Sequence, residues 1–334
     1  MSGPAPLSAV IAGLAVLVAV LFAASLLTGP AGFGAAEGLR ALFAEGDTPA
    51  AIVMQEIRLP RALLGLLIGA ILGLSGAVLQ GLLRNPLAEP GIVGVTSTAS
   101  LGAVVAIYTG LSASFALALP LMAMGGALAA VVLIGVLAAR SRDTLTVILA
   151  GVAVTTLAGA LTSLALNLAP NPFAALEIVF WMLGSLADRS VEHVHLAAPF
   201  ILVGGAILLL SGRALDALSL GEDVARTLGV DMGRARAMAI AGTALGVGAA
   251  TAVAGAIGFV GLVVPHLLRP LVGARPSRLL VPSALGGAAL LLAADIAVRL
   301  ILPARDLKLG VLTALVGVPF FFALVLRTRR EGLA

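Results

Sequence analysis

The chain has 334 residues, of which 60% are hydrophobic and 11% are charged, against roughly a quarter charged in an ordinary soluble domain. This composition excludes a water-soluble globular protein. Cysteine is absent, which excludes disulfides and thiolate metal sites. The net charge of +4 is spread over short loops and not gathered on one face, which argues against a nucleic-acid-binding protein.

Apolar stretches long enough to cross a bilayer recur along the whole chain, and a helical span needs about 20 such residues. These stretches lack the alternation of polar and apolar residues that a membrane barrel requires. We therefore predict an all-α polytopic membrane protein with about ten spans, in which residues 1–334 form one transmembrane domain. The predicted spans are 7–28, 60–83, 93–108, 115–139, 145–166, 192–211, 237–254, 257–270, 279–301 and 309–326.

Three of these spans have individual features. The first has no basic flank, so we expect a retained helix and not an export signal. The third and the eighth are short for a simple crossing. Pro265 and Pro270 predict that the eighth is bent or partly re-entrant.

Most of the 20 Lys and Arg residues fall at one set of span ends. Because basic residues are retained on the cytoplasmic side, this distribution predicts cytoplasmic N- and C-termini.

The segment LSLGEDVARTLGV, residues 218–230, is unusually charged for this chain and predicts a short cytoplasmic helix. Ser219 and Glu222 have the spacing of a capping box, and Gly229 is a typical helix stop. Such a helix packs on its own protein or on the bilayer surface, or else it binds a cytoplasmic partner. The residues that form its apolar stripe are Leu220, Val224 and Leu228.

Seven further stretches, in the same order along the chain, resemble the FecCD family of importer permeases for iron-siderophores, haem and vitamin B12. The resemblance implies the type II ABC importer permease architecture, with ten helices in each subunit. It also implies four kinds of partner: a second copy of the chain, two ATP-binding subunits, a periplasmic binding protein and the lipid bilayer. The stretches are RLPR (58–61), SGAVLQGLLRNPLAEPGIVG (75–94), ILAG (148–151), FWMLGSL (180–186), GAIGFVGLVVPHLLRPLVG (255–273), ADIAVR (294–299) and GVLTALVGVPFF (310–321).

The chain contains one lysine, Lys308, and its predecessor is Leu307, so it has no phosphate-binding P-loop. We therefore expect no catalytic residue and no cofactor in this chain, with ATP and Mg²⁺ bound by partner subunits. The charged helix is then the candidate for coupling to the ATPase, within a segment of about 213–236. The predicted coupling residues are Leu220, Gly221, Glu222, Val224, Ala225, Arg226, Leu228 and Gly229.

Three arginines near the extracytoplasmic helix ends are expected to bind the periplasmic protein. In the family, the arginines of the stretches that contain Arg58, Arg61 and Arg299 face acidic groups on that protein. Arginines near helix ends also commonly reach toward lipid headgroups. Asp295 lies one turn before Arg299 and is expected to pair with it.

The resemblance also implies a cytoplasmic gate and a pathway. The gate residues are Asn85 and Leu87, in the turn RNPLAEP, with Thr144. The small residues of the fifth span fit close helix packing as well as pathway lining. A second small-residue stripe, Gly65, Gly69 and Gly73, is expected to serve packing only. The predicted pathway residues are Gly151, Thr155, Gly159 and Thr162.

The substrate class implied by the family is an iron complex, either a ferric siderophore or haem, with vitamin B12 or another corrinoid as the alternative. Two other classes of function are open. Ser75 lies in a G-x-S-G sequence, which intramembrane serine proteases use. An ion-driven secondary transporter needs ionisable groups deep in the membrane, and the sequence offers few. His193 and His195 point apart on a helix, so no metal site is expected.

Overall fold

A computed structural model describes residues 6–29, 34–44, 48–115, 117–138, 144–273, 275–301 and 307–331. These ranges are helical, with no strand among them. A π-helical turn, Val53–Arg58, joins α3 to α4, and a 3₁₀ turn, Pro90–Val93, precedes α5. The α-helices are α1 Leu7–Leu27, α2 Ala35–Ala41, α3 Pro49–Ile52, α4 Leu59–Leu82, α5 Val95–Tyr108, α6 Ala118–Ala138, α7 Thr144–Asn167, α8 Pro172–Met182, α9 Val191–Leu210, α10 Gly212–Leu218, α11 Glu222–Thr227, α12 Met232–Ala254, α13 Val260–Val272, α14 Pro276–Ile301 and α15 Leu309–Glu331.

Each of the ten predicted spans coincides with a helix, which confirms the all-α polytopic prediction. Seven helical segments are long and apolar enough to cross a membrane. The other three spans correspond to the shorter apolar helices α5 and α13 and to the apolar part of α15, Leu309–Ala323. The span helices are α1, α4, α5, α6, α7, α9, α12, α13, α14 and α15.

Helix α8 was not predicted from the sequence, because with 11 residues it is too short to be found as a span. Asn171 caps this helix by accepting a hydrogen bond from the Ala174 N–H at 2.9 Å. Pro172 occupies the first helical position, where proline is favoured. The pair Asn171-Pro172 was therefore an available start signal.

Helix α4 is buried along most of its length and packs closely against α14. A Cβ on Gly69 would collide with the carbonyl of Gly287, and a Cβ on Gly73 would collide with that of Ser283. Small residues at this spacing bring the two backbones into contact. The prediction that the α4 glycines serve packing is confirmed.

Helices α5 and α13 are shorter than a simple membrane crossing requires, as the lengths of the third and eighth predicted spans indicated. At about 1.5 Å per residue, the 14 residues of α5 and the 13 of α13 cover only about 20 Å of a layer about 30 Å thick. The break before α13 contains Gly255 and Phe259, both with positive φ, at 73° and 67°. Helix α13 starts beside the second half of α4, where Gly261 packs against Gly76.

We predict that Gly69→Ala destabilises the fold by about 1–3 kcal/mol, because the added methyl must displace backbone. The measurement is thermal unfolding of the full-length protein in detergent. Gly13→Ala in α1 is the matched control, since nothing lies within 4 Å of a Cβ there. Equal melting temperatures for the two variants would contradict the packing account.

Candidate functional site

Contacts between helices define two ends of the bundle. At the end that we call the coupling end, α10 lies beside the end of α4 and the start of α14, and α11 packs against α10. At the other end, which we call the arginine end, Arg58 and Arg299 bind the last turn of α1, and Arg61 joins Arg299 through Asp295. The predicted coupling residues and the gate residues Asn85 and Leu87 belong to the first end, and the predicted docking residues belong to the second.

Helix α11 exists as predicted, but its start differs from the predicted capping box. Ser219 continues the preceding helix in α-helical conformation, and its hydroxyl donates to the carbonyl of Asp216 at 2.6 Å. Gly221, with φ of 111°, is the residue that begins α11, and no side chain caps it. The capping-box prediction was wrong because Ser219 belongs to the end of α10.

The predicted stop at Gly229 is confirmed. Gly229 has φ of 82°, a left-handed conformation that costs glycine little. Its N–H donates to the carbonyl of Arg226, and the Val230 N–H donates to that of Ala225, both at 3.0 Å. These two bonds form a Schellman motif, which satisfies carbonyl groups at the helix end.

An ion pair fastens α11 to α12. The Glu222 carboxylate accepts hydrogen bonds from Arg226 in the next turn, at 2.8 Å, and from Arg236 of α12, at 2.6 Å. Arg236 is largely buried, and Ala225 on the underside of α11 is completely buried. A helix of six residues is marginal alone, so these contacts hold it in place.

The apolar stripe of α11 faces away from the chain. Leu220 is 64% exposed, Val224 is 42% exposed and Leu228 is 62% exposed. Exposed apolar side chains grouped on a helix that polar contacts already hold in place are typical of a protein-binding surface. The stripe therefore does not pack on the described part of the chain itself, and its role in binding a partner stays a prediction.

Asp216 of α10 connects the same segment to α14. Its carboxylate accepts hydrogen bonds from the Ser277 N–H at 2.8 Å, the Ser277 hydroxyl at 2.7 Å and the Arg275 Nε at 2.7 Å. Burial alone would raise the pKa of Asp216, but the hydrogen bonds from Ser277 and Arg275 outweigh it and lower the pKa. The segment around α10 and α11 is thus attached to both α12 and α14.

The predicted gate turn lies at the coupling end. Asn85 is exposed, and its side-chain oxygen accepts the Leu87 N–H at 2.9 Å, which stiffens the turn. Gly81, just before the turn, packs against Leu215 of α10. Thr144 begins α7, and its side chain lies outside the described residues. The gate role of the three residues stays a prediction.

At the arginine end, Asp295 is the central anion. It pairs with Arg299 at 3.0 Å, as predicted, and also with Arg61 of α4 at 2.8 Å. Arg299 further donates to the carbonyls of Ser25 at 2.9 Å and Thr28 at 2.7 Å. A carboxylate that two guanidinium groups share offsets part of the cost of burying them.

Arg58 completes this cluster by donating to the carbonyl of Leu26 at 3.0 Å, and it is only 5% exposed. The last carbonyl groups of a helix have no partner within it, so these arginines cap α1. Arg58, Arg61 and Arg299 therefore join α1 to α4 and α14. Their docking role stays a prediction, and Arg61, with 18% of its side chain exposed, is the most accessible of the three.

The predicted pathway residues of α7 face different surroundings. Gly151 packs against the carbonyl of Ile92, and the Thr155 hydroxyl donates to that of Gly91 at 3.4 Å. Thr155 is half-buried and Thr162 is buried, whereas Gly159 faces open space. The pathway role of the four residues stays a prediction. Two exposed hydroxyl residues of this helix, Thr156 and Ser163, were not among the predicted residues.

The protease alternative finds no support in this geometry. Ser75 is fully buried, and its hydroxyl has no hydrogen-bond partner among the described residues. His193 is occupied elsewhere, because its Nδ1 accepts the Ser190 N–H at the start of α9. Across the described ranges, no three His, Asp or Glu side chains come together as a metal site.

The chain is similar in sequence and in structure to known transport proteins. The FecCD transport family matches residues 17–327. The cobalamin import system permease BtuC of Halobacterium salinarum is 43% identical over 279 residues, which are 83% of this chain and 74% of that one. The ferric enterobactin permease FepD of Escherichia coli is 38% identical over 339 residues, covering 99% of this chain and 100% of the relative. A solved metal-chelate type ABC transporter, in an inward-facing conformation, has a TM-score of 0.85 and 34% identity over 96% of this chain and 99% of its own.

The contacts of Asp216 lead to a prediction about how the stability of the fold depends on pH. Because the folded-state pKa lies below the unfolded one, the carboxylate stabilises the fold above about pH 4, and this contribution is lost as the pH falls through the folded value. Asp216→Asn should therefore lower the melting temperature at pH 7, with a difference from the unaltered protein that shrinks below about pH 4. Asp223→Asn, an exposed neighbour, is the control. A difference of constant size from pH 7 to pH 3 would contradict this account.

Proposed function

The chain belongs to the FecCD transport family and is a permease of an ABC importer, and on that premise we propose that it carries an iron chelate across the bacterial inner membrane, driven by separate ATP-binding subunits. The observation that carries the proposal is the exposed apolar stripe of α11, in a segment of two short helices that polar contacts fasten to membrane helices, α11 to α12 and α10 to α14.

An ATP-driven chain without a P-loop needs a surface that receives movement from another protein. The one lysine of this chain does not follow glycine, so ATP and Mg²⁺ are assigned to partner subunits and no cofactor is assigned to this chain. The stripe of Leu220, Val224 and Leu228 supplies an apolar contact surface of the kind that protein interfaces bury.

The assembly that we propose contains two copies of this chain, two ATP-binding subunits and a periplasmic binding protein. In this arrangement both termini are cytoplasmic, the coupling end faces the ATP-binding subunits and the arginine end faces the periplasm. The exposed part of Arg61 then offers the binding protein a cation, and salt-sensitive pairing orients that encounter.

Movement that enters at α11 reaches two membrane helices through polar contacts. The Glu222–Arg236 pair pulls on α12, and the Asp216 contacts to Ser277 pull on the start of α14. Because α14 packs against α4 without intervening side chains at Gly69 and Gly73, these helices shift together as a rigid body. Such a shift alternates access between the two ends.

Support for an iron chelate as substrate comes from two similar proteins. FepD is a ferric enterobactin permease that this chain matches over its whole length, and the solved neighbour is described as a metal-chelate type transporter. The haloarchaeal BtuC supports a corrinoid as the second candidate. The exposed Gly159, Thr156 and Ser163 of α7 present a weakly polar surface that suits passage of either bulky complex.

We predict that Leu228→Asp lowers co-purification of the ATP-binding subunit by roughly tenfold or more, because a charge replaces an apolar contact. ATP-driven uptake should fall in parallel. Thr227→Asp is the matched control, since it adds the same charge to the exposed residue next to the stripe. Equal loss in both variants, or no loss in either, would contradict the assignment of the stripe.

The substrate is tested by uptake into proteoliposomes that contain the complete assembly. We expect ATP-dependent uptake of a ferric siderophore or haem, and no uptake of cobalamin offered in the same assay. Preferential uptake of cobalamin would overturn the iron assignment in favour of the corrinoid. Uptake that a proton or sodium gradient drives without ATP-binding subunits would overturn the importer mechanism itself.

A further inference from the structure

Helix α13 contains a backbone carbonyl without a helical partner, and a side chain of α4 donates a hydrogen bond to it. Proline has no N–H, so Pro265 leaves the carbonyl of Gly261 without its usual helical partner. An unsatisfied carbonyl in an apolar interior is costly. The side-chain nitrogen of Gln80, from the last turn of α4, donates to Gly261 at 3.2 Å and to the carbonyl of Leu262 at 3.3 Å.

The same amide also holds the other half of α13. The side-chain oxygen of Gln80 accepts a hydrogen bond from Arg269 Nη2 at 3.0 Å. Gln80 is only 3% exposed, so these bonds are shielded from water and are correspondingly strong. One side chain of α4 thus binds α13 at two points, two turns apart.

A second contact joins α13 to the predicted gate turn. Phe259 begins the helix with φ of 67°, and no side chain of its own segment caps it. The carboxylate of Glu89 accepts the Phe259 N–H at 3.3 Å. Glu89 lies two residues after Leu87 and directly before the Pro90–Val93 turn, so the helix start and the gate turn share one hydrogen bond.

The far end of α13 is connected to the coupling segment. Only residues 273–275 separate α13 from α14. Asp216 of α10 holds the start of α14 through Arg275 and Ser277. A displacement of α10 and α11 therefore reaches α13 through the start of α14. It reaches the turn with Asn85 and Leu87 both through the contact of Leu215 with Gly81 and through the contacts of Gln80 and Glu89 with α13.

We propose that Gln80 and Glu89 are positioning residues that make the end of α4, residues 83–89 and α13 one rigid block, so that movement at the coupling end displaces the gate turn. The block itself depends only on the fold. Its role in gating rests on the proposed function.

The absence of cysteine makes the full-length chain suitable for paired spin labels. Labels are placed at Arg84, in the turn, and at Leu271, near the end of α13, since both side chains are exposed. Pulsed electron paramagnetic resonance then reports the distribution of distances between the turn and α13. A rigid block gives one narrow distribution.

Gln80→Leu and Glu89→Ala should each broaden this distribution about twofold, because both contacts resist separation of the turn from α13. Glu89→Gln should restore the narrow distribution, since its amide oxygen still accepts the Phe259 N–H. Ser75→Ala is the control within α4, because it removes a buried hydroxyl that has no hydrogen-bond partner among the described residues. Distributions for Gln80→Leu and Glu89→Ala as narrow as that of the unaltered chain would overturn the proposal.

In the assembled transporter, Glu89→Ala should lower the amount of chelate taken up per ATP hydrolysed by roughly fivefold, while ATP hydrolysis continues. A purely structural defect would lower uptake and hydrolysis together, which would overturn the gating role. Glu89→Gln should rescue the ratio. If the unaltered assembly takes up no substrate, the proposed function fails, and the distance measurement alone decides whether the block exists.

Discussion

Inside a bilayer there is no water to bond a backbone group that a helix leaves free, and this constraint explains where the chain places several of its polar side chains. Gln80 lies opposite the carbonyl that Pro265 frees, and Glu89 lies at the uncapped start of α13. Arg58 and Arg299 lie at the last carbonyls of α1. Each of these side chains forms hydrogen bonds with the backbone of another element, so the same bonds that satisfy free backbone groups also join neighbouring elements.

The contacts that join the helices differ in kind along the bundle. In the middle, α4 and α14 meet through backbone atoms at Gly69 and Gly73, which leaves no side chains between them to absorb movement. At the coupling end, the polar contacts of Glu222 and Asp216 tie a surface helix to the membrane helices. A force applied to α11 is therefore passed on by stiff contacts, which is what an importer driven from outside the chain requires.

Much of the fold could be predicted from the sequence because span length and hydropathy depend on local residues alone. Helix α8 and the start of α11 were not predicted correctly, since a short helix gives no span signal and Ser219 fits the end of one helix as well as the start of the next. Individual side-chain roles depended on distant partners. The small-residue pattern of α7 could not show that Gly151 faces Ile92 of the same chain. The spacing of Arg58 and Arg61 could not show that Arg58 binds the end of α1 whereas Arg61 binds Asp295 of α14. Asp295 was the exception, because its partner Arg299 is one turn away on the same helix.

We propose that ATP-driven movement enters this subunit at α11. Cross-linking in the assembled transporter tests this directly, from a single cysteine introduced at Val224, with Leu202 on the exposed face of α9 as the comparison position. We expect a cross-link from position 224 to an ATP-binding subunit and none from position 202. A cross-link from neither position, or from position 202 alone, would contradict it.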